Sequence, residues 1–277
     1  MPTVTGAVEA LVRATVDLPD DGMARPWAWN EYDEEGLRFA LLMAQHELRD
    51  LAVRLAALRT APPTQAQRIL AQYHEAYRDL TGALAGLHDA DLDVAPAPGE
   101  WPVRGALEHM VGADVGFLAV IQWSRSADAP RDEADMNTRR RKWREDHGYM
   151  PPAVTGGIAD VRNLLFEIHR RVLRELADLS DAELEQPALF WDGAKPLRFR
   201  LHRFEAHYIQ HTIQIDKTLD AIGRRPSEAH RLVRVLYRDL AGVEMLADVA
   251  GTAAAAARDE VATTFERRAA ELAGTLV

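Results

Sequence analysis

The chain has 277 residues, 47% hydrophobic and 27% charged, with a formal net charge of −10 and no cysteine. Such a chain can bury a sizeable core under a wet surface, and it has no disulfide, no thiolate nucleophile and no cysteine-ligated zinc. The acidic balance argues against a broad phosphate-binding surface, and no run approaches the ~20 apolar residues of a membrane helix.

From Leu37 the apolar positions Leu37, Leu41, Ala44, Leu48, Leu51, Leu55 and Leu58 step by fours and threes, the period of a helix packed along its length. Pro62 and Pro63 end it. The spacing predicts a second helix over 64–87, with a stripe of Ile69, Tyr73, Tyr77, Leu80 and Leu84. An Asp- and Pro-rich loop follows. Pro102 then sits where proline suits a helix start, and the next helix, to about 124, carries Val103, Leu107, Met110, Phe117 and Ile121.

From 124 to 157 the pattern weakens into charged, Pro- and Gly-rich sequence, which reads as a long crossover with one short helix. It holds Arg139, Arg140, Arg141, Lys142 and Arg144. A solvated helix face is the ordinary reading of such a run; the sharper one is a clamp in which Arg139, Arg140 and Arg141 contact an anionic substrate group. Ile158, Val161, Leu165, Ile168, Val172, Leu176 and Leu179 mark another helix, and a loop with Trp191, Asp192 and Gly193 follows. The helix from Pro196 to Ile222 is closed by Gly223 and Pro226. Ser227 caps one more, to about Leu246, and an Ala-rich helix from Thr252 to Leu276 is the last. Strand alternation is nowhere convincing, so the expected class is all-α.

The helix from Pro196 carries the chemistry. Its apolar stripe runs Leu197, Leu201, Phe204, Tyr208, His211, Ile215, Leu219 and Ile222, so a histidine fills a core-facing slot. His207 lies one turn back on the same face, and two imidazoles at that spacing reach one metal ion. The spacing alone is equally met by two separately satisfied histidines. His109 adds weight, because it falls on the inner flank of its own helix beside Ala106, Ala113, Phe117 and Val120. Three neutral imidazoles from two helices suit Zn²⁺, Ni²⁺, Fe²⁺ or Mn²⁺ and leave positions open for water or substrate. Asp114, Glu205 and His169 are candidates for orienting the imidazoles, although each is more simply an ordinary surface carboxylate or a packed histidine. His74 reads the same way. His202 points about 140° from His207 and belongs to the surface. Trp101, Trp123 and Trp191 read as packing at helix ends.

The segment Pro98-Gly99-Glu100-Trp101-Pro102-Val103-Arg104-Gly105-Ala106-Leu107-Glu108-His109 resembles the first metal motif of the DinB-like (YfiT-type) superfamily, and His202 to His211 resembles its H-x-x-x-H helix. The resemblance implies a four-helix bundle with a long crossover and a three-histidine metal site. It divides the chain into an N-terminal extension (1–63) with one long helix, a bundle (64–225) and a C-terminal helical extension (226–277) packed on the bundle or at a homodimer interface. It also implies a metal-dependent enzyme, such as a transferase using a low-molecular-weight thiol like mycothiol or bacillithiol. The alternatives are a metal-dependent hydrolase acting through an activated water, and a non-catalytic metal-binding stress protein. The first thirty residues lack the basic start and apolar run of a signal peptide. The expected setting is therefore the cytoplasm, with a small-molecule substrate and neither nucleic acid nor membrane as partner. Since imidazole binds metal only when neutral, affinity is expected to fall below pH ~6.5, with more than one proton taken up per ion released.

Overall fold

The computed structural model describes residues 2–190 and 193–275; Trp191, Asp192 and Leu276, named above, lie outside the described residues. In chain order the elements are α1 (Val4–Thr15), α2 (Leu37–Ala57), α3 (Gln65–Ala83), α4 (Val103–Arg125), α5 (Glu133–Asp146), α6 (Ile158–Leu176), β1 (Pro187–Phe190), β2 (Gly193–Pro196), α7 (Leu197–Ala221), α8 (Glu228–Glu244) and α9 (Thr252–Thr275). The chain is all-α in class, as its periodicity predicts, with one short hairpin. No helix among the described residues is long and apolar enough to cross a membrane.

Two compact units form. The first spans 63–77 and 87–223 and contains the bundle helices: the first part of α3, with α4, α6 and α7. Most positions of the stripes expected for them are buried, including Tyr73, Leu107, Met110, Ile121, Val161, Leu165, Val172, Leu201, Phe204 and Ile215, while Phe117, Ile158 and Ile222 are half-buried. Each such side chain contributes about 1.5–3 kcal/mol when fully buried. Placing two histidines in the stripe of α7 forgoes that gain at both positions, and is costly unless their ring nitrogens find partners. The crossover carries α5 as its single helix. The hairpin β1–β2 is a correction to the expected loop: its strands pair antiparallel, Ala188 opposite Lys195 and Leu189 opposite Ala194. Four-residue strands that begin or end in Pro and Gly are too short to show a period of two.

The second unit gathers 1–62, 78–86 and 224–277. Its core joins Val8 and Leu11 of α1, Leu41, Leu48 and Leu51 of α2, Val233, Leu236 and Leu240 of α8, and Phe265 and Leu272 of α9. α1 packs on α9 and α2 on α8. α1 has no counterpart among the predicted elements; the Thr3 hydroxyl caps it by accepting from the Gly6 N–H at 3.0 Å. Leu58 is the exception to the α2 stripe and is exposed, because the helix stops at Ala57. At Gly82 the chain passes so close to α8 that an added Cβ would sit 2.8 Å from Arg234 Cα. Arg234 meanwhile grips Asp79 at 2.7 and 2.8 Å, which holds the two segments together.

Candidate metal centre

His109 comes from α4, and His207 and His211 from one face of α7, against which α4 packs. The α-helical pitch stacks 207 and 211 one turn apart. The three rings converge, with centroids 5.0 Å (109 to 207), 4.7 Å (109 to 211) and 4.3 Å (207 to 211) apart. One ring nitrogen from each lies within 4.8 Å of the other two, and His207 Nε2 is 3.0 Å from His109 Nε2. Imidazoles bound tetrahedrally to one ion at about 2.0–2.1 Å space their nitrogens about 3.3 Å apart. The observed spread brackets that value, so the residues fit a divalent metal. His207 and His211 are buried and His109 is exposed, so the cluster opens on the His109 side.

The electrostatics suit the same role. Burial pushes His207 down to about 3, and His211, His109 and Arg203 act in the same direction. His109 is lowered too, first by burial and then by His211. Neutral imidazole is the form that binds metal. Gln214, three residues beyond His211, places its Oε1 2.7 Å from His211 Nδ1. An amide oxygen accepting the Nδ1–H leaves the Nε2 lone pair for the centre. Gln214 was not among the candidates, although its i+3 spacing from His211 was visible. Aromatic walls come from Phe117, 5.6 Å from the His207 ring, and from Trp101, 5.1 Å from the His109 ring. Trp101 thus stands beside the cluster rather than only at a helix end.

The remaining candidates lie elsewhere. Asp114, Glu205 and His169 make no hydrogen bond to the three imidazoles among the described residues. Asp114 lies five residues past His109, about 140° around α4, and is fully buried. Its Oδ2 accepts from Tyr73 Oη at 2.8 Å and Tyr208 Oη at 2.9 Å, which ties α3, α4 and α7 together. Desolvation pushes its carboxyl up to about 7, against the pull of the two hydroxyls. His169 Nε2 meets His74 Nδ1 at 2.8 Å, and the His169 ring stacks on Tyr77 at 3.9 Å, forming a second, separate histidine pair. Glu205 is half-buried and His202 exposed. On α5, Arg139 pairs with Asp135 and lies over Trp123, Arg141 pairs with Glu145, and Arg140 is exposed. The first two are therefore held by intrahelical carboxylates one turn away.

A bundle whose facing helices bring three imidazoles to one point, with one side open, defines a class of helical proteins that could hold a single metal ion. The chain belongs to the DinB superfamily, whose family model matches residues 72–215, just over half of its length and all three histidines. Comparison with curated proteins and with solved structures gives no match.

Proposed function

We propose that the protein is a metal-dependent enzyme that activates a low-molecular-weight thiol for transfer to an electrophile. The observation that carries this reading is the donor set: three imidazoles, with no carboxylate among the described residues bonded to them, and an exposed edge at His109. His109, His207 and His211 would hold a divalent ion, which when bound would act as a Lewis acid and lower the pKa of a thiol or water reaching the open side. The protein itself supplies fixed imidazole lone pairs, through Gln214, and apolar walls, through Phe117 and Trp101, that thin the water around a sulfur anion. In the transfer, the thiol gives up its proton to solvent water at the open edge, its sulfur bonds to the electrophilic carbon, and the leaving group departs with the electron pair of the broken bond. No cysteine of the chain is needed, and the chain has none.

Cobalt substitution tests this. Adding glutathione, coenzyme A, bacillithiol or mycothiol to the cobalt-loaded protein should produce an intense sulfur-to-metal charge-transfer band that is lost in His207→Ala. If none of the four perturbs the spectrum, thiol transfer is wrong, and hydrolysis through an activated water becomes the reading to test, since the same open edge suits it.

A further inference from the structure

Arg203, His207 and His211 stand at successive four-residue steps along α7. Four residues of helix rise about 6 Å, so Arg203 begins one turn from the nearer imidazole. It is half-buried, its Nε is buried without a hydrogen-bond partner, and no ion pair or hydrogen bond holds its guanidinium among the described residues. The contrast with neighbouring arginines is chemical. Arg200 donates to Leu189 O at 2.9 Å and lies over Phe117, while Arg139 and Arg141 have carboxylates of their own. Glu205, the nearest acid in sequence, is two residues on and about 200° around the helix.

The charges do not balance. A divalent ion, three imidazoles in the neutral form that binds metal, and Arg203 sum to +3 in a protein whose net charge is −10, and no carboxylate among the described residues is bonded to the rings. A partly desolvated, unpaired guanidinium is unfavourable until an anion meets it, and its planar fork matches a carboxylate.

We infer that Arg203 binds a carboxylate of the ligand whose donor atom enters the histidine centre, so that the preferred thiol carries a carboxylate a few atoms from its sulfur. This rests on the reading of the three histidines as a metal centre, and the test separates the two. With the cobalt-loaded protein, 3-mercaptopropionate is compared with 3-mercapto-1-propanol, which has the same reach without the charge. The wild type should bind the acid at least about tenfold more tightly, the scale of a charge-assisted hydrogen bond. In Arg203→Gln the preference should shrink to within about twofold while binding of the alcohol is unchanged, and Arg203→Lys should restore part of it. An undiminished preference in Arg203→Gln, or none in the wild type, overturns the inference. If neither thiol perturbs cobalt, the thiol reading fails and Arg203 is judged on its own Nε–H resonance, titrated with propionate with and without zinc. A saturable downfield shift, with the resonance identified by its loss in Arg203→Gln, supports carboxylate binding; no shift in either condition overturns it.

Discussion

Replacing Asp114 by Asn should stabilise the metal-free protein in mildly alkaline solution and do so much less in acid. The carboxyl is fully buried and its value is raised from 3.8 to about 7, chiefly by desolvation. The folded state therefore keeps a proton that the unfolded chain gives up, and stability falls as pH rises from the unfolded value towards about 7, then levels off. Between pH 5 and 7 this amounts to about two pK units, or about 3 kcal/mol at ~1.36 kcal/mol per unit. Asn never ionises, and its carbonyl accepts from both Tyr73 and Tyr208 as Oδ2 does. Its NH₂ would replace Oδ1, which has no partner, at a cost of about 1–3 kcal/mol for an unsatisfied buried donor. That cost is independent of pH; the advantage is not. Urea unfolding of wild type and Asp114→Asn at pH 5 and pH 8, followed by fluorescence, should show the gap moving by about 3 kcal/mol in favour of Asn at the higher pH. A gap that is the same at both values would refute the picture of a desolvated carboxyl holding its proton.

Burial lowers His207 to about 3 and lowers His109 as well, which limits how many protons a metal ion must displace. With His207 already neutral at pH 6, zinc binding there should release fewer than three protons, measured by titration in buffers of different ionisation enthalpy; release of three would mean that the His207 ring is protonated in the free protein. In the second unit, Gly82→Ala forces a methyl to within 2.8 Å of Arg234 Cα. It should destabilise by about 1–3 kcal/mol, as overpacking does, and a midpoint equal to wild type would show that α8 yields freely. Arg268 is buried, pairs with Glu47 at 2.7 and 2.9 Å and donates to Ala40 O. Arg268→Ala should cost about 3–5 kcal/mol, the scale of breaking one side of a buried pair; denaturant midpoints check it, and a loss below about 1 kcal/mol would mark the bridge as solvent-like.

The helices of the bundle were legible because their buried faces are long and periodic, and the histidine triad because a polar residue in the stripe of α7 asks for a partner. The pairing of α1 with α9 and of α2 with α8 was not legible, since an amphipathic face says that it is buried without saying against what. The hairpin was hidden by its length. Gln214 and Trp101 show a different limit: each touches the cluster through a side chain whose type is common at such positions for other reasons. Asp114 was visible as a carboxylate near His109, but spacing put it on the same helix, not on the same face. What binds it is two tyrosines from other helices. Arg203 lay in plain view at i−4 from His207, and its partial burial, with no acid among the described residues paired to it, is what distinguishes it from a surface arginine.

The central claim is that His109, His207 and His211 hold one metal ion. Elemental analysis of untagged protein, equilibrated with zinc and freed of excess, tests it most directly. About one ion per chain should be retained by the wild type and none by the triple alanine variant, with helical circular dichroism unchanged. Full occupancy in the triple variant, or an empty wild type after equilibration with zinc, nickel, iron and manganese in turn, would contradict it.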